Sequence, residues 1–544
     1  MSAIGERFLA HHLAFRPVDG TFMGRRDCDA LLPRADAHAV AEELRAIEEL
    51  EAAVAAAPES SVAERMDKRL ADAELKLAAA NLRERPRHAN PAWYSGEATF
   101  GIVGLLLPQS EPLDADALRA RFEALPDFLA DGRARLCEAG AAPKAWGERA
   151  AREATALARF LEQDLARIPA SAATPTATAA WTEPAMRAAQ ALQDFSRALE
   201  ALEDRNPAAG PEYLEIVMRD VHGIGGGAEA LLGAASAAFE RLGQELIEDA
   251  ERLTPGQSWQ RSIESLAALT PPADGVLEAY RHWHDTAVAA AQAARLLTPA
   301  TGYGLDYRFL AAPFRLIAPA TYFLFYRSPP AFAPKGGSVY WVSPPAGEDL
   351  AAYLRGQNVS VLKTTHTVHH GSIGHHTQNA RARAAPGILA RVGGTDCASG
   401  IAFLSAGTMV EGWACYAEDL LREAGGFYAG AELLLLKQNE RRNAASVMVD
   451  VNLHLGRWSV EEAALFYREK AGFAAHRAMP ETVRNSMFPG SRLMYWAGVE
   501  AIKALRRASR LSAHKFHDSL LGFGHVPIVA AGAEMSLSDA SARA

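Results

Sequence analysis

The sequence predicts a mainly α-helical fold in which a small β-sheet precedes a histidine-rich helix. Three observations carry this expectation. Tracts rich in Ala, Glu, Leu and Arg, with helical spacing of the apolar residues, fill most of the first 298 residues. β-Branched and aromatic texture is confined to a stretch between about 300 and 342. Helical periodicity then resumes to the C-terminus. The 544 residues are 49% hydrophobic and 22% charged, which is ordinary globular usage and excludes a disordered, collagen-like or disulfide-stapled chain.

In chain order, residues 36–84 (with AEELRAIEELEAAVA) read as helix, since strong helix formers dominate and no Gly interrupts them. Further helical blocks are expected at about 114–140, 145–168, 181–204, 225–252 and 274–297, with Pro and Gly clusters between them. The low-complexity stretch PASAATPTATAA (169–180) reads as a surface loop. GIGGGAEALL (223–232) follows no convincing strand, so its glycines mark a loop and helix start and not a dinucleotide fingerprint. FRLIA (314–318), TYFLFY (321–326) and SVYWV (338–342) read as the strands of the small sheet. Ser459 with Glu462 forms a capping box, with Trp458 placed as its hydrophobic staple. Two regions are expected, a helical one over 1–298 and a second over 299–544 that carries the chemistry, joined in one continuous body.

The net charge of −9, with no basic block, argues against a general nucleic-acid binder. The four cysteines, Cys28, Cys137, Cys397 and Cys415, form no CxxC pair and read as reduced thiols. The opening MSAIGERFLAHHLAFRP lacks a basic stretch followed by an apolar run, so no signal peptide is expected. The apolar stretch 303–326 holds Asp306, Arg308 and Arg315 and is no membrane span. These readings make the expected location cytoplasmic, with no membrane or nucleic-acid partner, and leave room for a homo-oligomer.

The chemistry concentrates in VLKTTHTVHHGSIGHHTQNARA, which places His366, His369, His370, His375 and His376 within 11 residues. Uniform scattering would place roughly a third of one histidine there. On a helix His366 and His370 stand one turn apart, a spacing that lets two imidazoles share one ion. Gly371 and Gly374 break such a helix, and the break can fold His375 or His376 back to the same point. A polar helix end without an ion is the plainer alternative. In MVEGWACYAEDLLREAGG a helix would align Glu411, Cys415 and Glu418 on one stripe. In RRNAASVMVDVNLHLGRWS, Asp450 and His454 stand one turn apart, as an acid/base pair or as an ordinary helical pair.

Four segments together, HHGSIGHHTQ (369–378), EGWACYAE (411–418), VDVNLHLGRW (449–458) and PGSRLMYWAG (489–498), resemble a bacterial family known as domain of unknown function 885. Its hallmarks are H-E-x-x-P-G-H-H-x-Q, E-G-W-A-x-Y-A-E, V-D-x-x-x-H-x-x-x-W and P-G-x-x-x-x-Y-x-x-G. The likeness extends to DGTFMGRRD, APATYFLFYRSPPA and FHDSLLGFGHVPI, and so to nearly the whole chain. The resemblance implies a zincin-like multi-helix fold related to metallopeptidases. It implies that His369, the His375–His376 pair and Glu411 hold a metal, and that Tyr495 and Arg484 face a cleft. The family's glutamate after the first histidine is His370 here, and its proline is Ile373. In zincins that glutamate is the general base. His370 therefore stands either as a base in its place or as an extra ligand, with His366 a further imidazole.

The resulting expectation is a metal-dependent, hydrolase-like enzyme acting on a small molecule or short peptide in a deep cleft. The metal would be a divalent transition ion, zinc first, with iron, manganese or copper also suited to the donors. The catalytic candidates are His370, Tyr495, His454 and Asp450; the metal candidates are His369, His375, His376, Glu411 and His366. Two rivals remain: a non-hydrolytic metalloenzyme (a lyase or a non-haem iron oxygenase), and a metal-binding protein without catalysis.

Overall fold

The computed structural model describes residues 2–541 apart from 86, 108–112, 169–174, 301–302, 316, 319–325, 334–335, 346–348 and 399. The protein is mainly α-helical with small sheets. Its internal contacts define two compact units. One comprises Met1–Pro207, Leu310–Gly337 and Gly387–Phe403; the other comprises Ala208–Phe309, Ser338–Pro386 and Leu404–Ala544. The first boundary between them falls at 207/208, and two later segments return to the first unit.

In the first unit the expected 36–84 block is two helices, Ala39–Ala56 and Val62–Arg83. Pro58 lies in the gap, and Ser61 starts the second helix with a full capping box to Glu64. Every residue of the helix Pro91–Leu106 is buried. Its polar residue Glu97 is only 2% exposed, and its Oε2 has no hydrogen-bond partner among the described residues. Burial, and then Asp19, push the Glu97 carboxyl up to about 7, against the pull of Arg16. Asp19 is itself held by His12 Nε2 at 2.9 Å. The expected loop at 169–180 is helix from Pro175 onward, in Pro175–Ala198; residues 169–174 lie outside the described residues. Proline suits the first helical position and the Ala-rich run favours helix, which overrides the loop reading. The described residues of FRLIA form no strand: a 3-10 turn, Ala312–Phe314, carries Pro313, and residue 316 lies outside the described residues. Of TYFLFY, residues 321–325 lie outside the described residues, and Tyr326 begins the short strand Tyr326–Arg327.

In the second unit the strands Leu305–Phe309 and Ser338–Val342 pair in parallel, with Tyr307 opposite Tyr340. The long helices Gly227–Leu253 and Ala431–His454 share an apolar core that includes Phe239, Val447, Val451 and Tyr467. Ser459 and Glu462 form the expected box, and the Trp458 ring lies 5.0 Å from that of Phe466. Helix Gly407–Leu420 crosses helix Leu493–Ala508 through two glycines: a Cβ on Gly412 would lie 2.6 Å from the Gly498 Cα. Backbone therefore meets backbone at this crossing, which fixes the height at which Glu411 is presented.

Candidate metal centre

The histidine segment is helical, but not in the expected α form. After Asn358 caps its start, residues Leu362–His369 run as a π-helix. His370 N–H bonds to Thr365 O at 3.3 Å, five residues back. Lys363 anchors this segment from inside: its Nζ bonds Glu432 at 2.8 Å and sits 4.5 Å over the Trp283 ring. The chain then reverses through Gly-Ser-Ile-Gly. Gly374 has ψ −128° at φ −81°, and a side chain there would collide with the carbonyl oxygens of Val368 and His369. Trp413 Nε1 donates to Ile373 O at 2.9 Å, so the EGWA helix pins the turn. This reversal returns His375 to His369, and their ring centroids are 4.9 Å apart.

The two rings are aimed by their far nitrogens. His369 Nδ1 lies 2.8 Å from Glu418 Oε1, whose other oxygen takes a bond from Asn439 Nδ2 at 3.1 Å. His375 Nδ1 lies 3.2 Å from Gln378 Oε1, and Gln378 Nε2 donates to Met409 O at 2.7 Å, which orients the amide. With acceptors at both Nδ1 positions, each imidazole holds a proton there, and Nε2 is the nitrogen that a metal would take. Both Nε2 atoms face one carboxylate: Glu411 Oε2 is 3.6 Å from His369 Nε2 and 3.7 Å from His375 Nε2. His370 belongs to the same group, since His369, His370 and His375 each offer a ligand atom within 4.8 Å of the others.

The electrostatics follow. Burial alone would raise the Glu411 carboxyl, but the His369 and His375 rings hold it well below the usual carboxylate range. Burial would lower His369, yet Cys415, Glu411 and Glu418 raise it well above an ordinary imidazole. Burial, then His369 and His375, keep His370 well below. Tyr495 is raised well above an ordinary phenol by burial and by Glu411, while Arg492 and Arg484 act in the opposite direction. Tyr495 is thus held as a neutral phenol. Cys415 and Glu418 border a cleft walled further by Asp419, Asn439, Asn443 and Lys503.

The structure thus brings together His369, His375, Glu411 and His370, and Glu411 also raises the Tyr495 phenol. It turns the other sequence candidates elsewhere. His376 Nδ1 lies 3.1 Å from Ser338 Oγ, with its ring 5.1 Å from that of Tyr303; burial, then His284, push it down to about 3. His366 Nδ1 meets Tyr340 O–H at 2.5 Å, and burial, then Arg477, hold it at about 4. Consecutive residues on a helix point in different directions, so a run of histidines cannot all reach one point. Asp450 accepts from the backbone N–H groups of Gly490, Arg492 and Leu493, each at 3.0 Å. It caps the helix that carries Tyr495, and His454 bonds Asn485 O at 3.0 Å. His454 Nε2 also lies 3.4 Å from Asp450 Oδ1, so the pair one turn apart does meet, fully buried at this helix cap. Gln378 was not among the sequence candidates. Its signal was available, three residues after His375 on the same helix face.

Two solved structures are similar over almost the whole chain. One is titled "The structure of a putative lipoprotein of unknown function from Shewanella oneidensis", with 19% identity, 98% of each chain covered and a TM-score of 0.77. The other is titled "The crystal structure of the putative lipoprotein from Colwellia psychrerythraea", with 16% identity, 97% of each chain covered and a TM-score of 0.75. At these identities the likeness is one of fold. Both titles read "putative lipoprotein", which overturns the cytoplasmic expectation. No helix among the described residues is long and apolar enough to cross a membrane. No curated protein matches the chain. The family model described as "Bacterial protein of unknown function (DUF885)" matches residues 17–535, and the chain belongs to that family.

Proposed function

We propose that His369, His375 and Glu411 hold one divalent transition metal, and that the protein is a metal-dependent, hydrolase-like enzyme with a zincin-like site. It acts on a short peptide or small molecule, and, in line with the titles of its structural neighbours, we place it in the cell envelope. One observation carries the reading: two imidazoles with occupied Nδ1 positions turn their Nε2 atoms to one buried carboxylate at 3.6 and 3.7 Å. Two neutral nitrogens and one anionic oxygen suit zinc first, and also iron or manganese. A metal bound there supplies a Lewis acid for a carbonyl and acidifies water.

The chain's own residues do the rest. Glu418 and Gln378 keep both rings in the ligating tautomer. Tyr495, a neutral phenol, donates its O–H to an oxygen on which negative charge develops. His370 stands where the family carries a glutamate, so a carboxylate base is missing from that position.

The direct test is elemental analysis of untagged protein grown with supplemented metal. Near one equivalent per chain is expected; less than about a tenth of an equivalent defeats the proposal. A second reading is favoured by the grouping of His369, His370 and His375 within 4.8 Å. Three imidazoles with Glu411 would make a non-hydrolytic centre, a lyase or a non-haem iron oxygenase. An absorption spectrum of the cobalt-substituted protein separates the two, because adding a third nitrogen donor changes the ligand field.

A further inference from the structure

The proposed centre leaves Cys415 unused. On helix Gly407–Leu420 it stands about one turn before Glu418, which bears on His369 from the side opposite Glu411. Cys415, Glu418 and His369 each offer a ligand atom within 4.8 Å of the others. The three donors are a sulfur, an oxygen and a nitrogen, a mixed set that suits a thiophilic transition ion. The sulfur and the carboxylate are both held from the next helix, Ala431–His454. Asn439 Nδ2 donates to Glu418 Oε2 at 3.1 Å, and one turn later Asn443 Nδ2 lies 3.5 Å from Cys415 Sγ.

The group is reached from the cleft that Cys415 and Glu418 border. Acids predominate on its wall, with Glu418, Asp419 and Glu440 against Lys503. Lys503 is matched to Glu440 at 2.8 Å, and Asp419 to Arg422 at 2.8 Å. Among the described residues Glu418 meets no Lys or Arg; it bonds His369 and Asn439. A cation entering from the cleft therefore gains at Glu418. The space it needs is small. His369 Nδ1 and Glu418 Oε1 share a proton across 2.8 Å. Two donors of one tetrahedral zinc ion stand about 3.3–3.7 Å apart, so opening the pair by roughly half an ångström admits an ion in the proton's place.

We propose that Cys415, Glu418 and His369 form a second metal site, for a thiophilic transition ion such as zinc that enters from the cleft. On binding, the Cys415 thiol and His369 Nδ1 each lose a proton to solvent, and bonds to the ion take their place. Water from the cleft completes the tetrahedron. Filling the site gives up the hydrogen bond between His369 and Glu418. It is therefore the weaker of the two sites, filled by added ion and empty in protein that carries a single equivalent. It depends on Cys415, which the first centre does not use, and needs neither Glu411 nor His375.

The test is titration of the reduced, chelator-treated full chain with cadmium, a thiophilic probe ion. The readout is the ultraviolet charge-transfer absorption of a sulfur–cadmium bond, expected to saturate at one such bond per chain. Cys415→Ser is expected to remove the absorption and to weaken cadmium binding at least about tenfold. Cys137 is the exposed cysteine, and Cys137→Ser is expected to change neither. Glu418→Gln is expected to weaken cadmium about tenfold with the absorption retained at saturation, which a thiol acting alone would not show. Glu411→Gln is expected to keep both the absorption and the affinity. No absorption in wild type up to about 1 mM cadmium, or an absorption that persists in Cys415→Ser, would overturn the proposal. So would equal affinities in wild type and Glu418→Gln, or loss of the absorption in Glu411→Gln, which would place the ion in the first centre. A wild type that retains no zinc, with the cadmium results as expected, would defeat the first centre alone.

Discussion

Glu418 Oε1 lies 2.8 Å from Nδ1 of His369, on the opposite side of the ring from Glu411. A carboxylate there fixes the ring's tautomer and makes Nε2 a stronger donor. Glu418→Gln leaves an amide oxygen to accept the same proton, but the negative charge is gone and its NH2 would face that of Asn439. Zinc affinity is expected to fall roughly 10- to 100-fold with the fold intact, measured by competition with a chromophoric chelator. Glu411→Gln removes an anionic donor itself and is expected to fall further. Equal zinc affinities in wild type and both variants would contradict these assignments.

The crossing of Gly412 and Gly498 gives a stability prediction. A methyl group on Gly498 would lie 2.7 Å from the Gly412 Cα, so the two helices must separate. Gly498→Ala is expected to destabilise by about 1–3 kcal/mol, as overpacking does, read from the urea midpoint of metal-free protein. Gly147, also helical, has nothing within 4 Å of its added Cβ. Gly147→Ala is expected to be stabilising by about 0.5–1 kcal/mol in the same assay.

His370 replaces the family's glutamate, and its ring centroid lies 4.7 Å from that of His369 and 5.5 Å from that of His375. An imidazole that accepts a proton there becomes a cation beside a metal ion, whereas a carboxylate becomes neutral. Cleavage of a panel of short peptides is therefore expected to be weak in wild type and at least about tenfold faster in His370→Glu. Ordinary peptidase rates in wild type, with no gain in the variant, would show that His370 serves as an adequate base.

The sequence made the mainly helical class legible because long runs of helix formers need little tertiary help. It was less informative where tertiary packing chooses. The histidine run is dense enough to announce a cluster, but which imidazoles converge depends on the π-helical stretch Leu362–His369 and the Gly371–Gly374 reversal. The glycine break was legible in the sequence, but the π-helical stretch, and the choice of His375 over His376, were not. His376 faces Ser338 because the following α-helix places it on a different side from His375. Asp450 meets His454 as their spacing suggested, but the backbone N–H groups it also caps come from a segment about 40 residues later and leave no mark in that spacing.

The last prediction concerns Glu97, remote in sequence from the histidines. It is buried on a fully buried helix, with one carboxylate oxygen unpartnered, and its carboxyl is pushed up to about 7 by burial and by Asp19. An unfolded glutamate titrates near 4.3. The folded value is the higher one, so the native state holds the proton more tightly than the unfolded chain. The contribution of this group is therefore fully present below the unfolded value and is lost as pH rises through about 7. Between those limits wild type is expected to lose stability by up to about 1.4 kcal/mol per pH unit from this group. Glu97→Gln keeps the neutral shape and cannot ionise. The difference between variant and wild type should therefore grow in favour of the variant from pH 5 to pH 8, measured as paired urea midpoints. A difference that stays constant across that range would mean that Glu97 is already charged in the folded protein, balanced by Arg16.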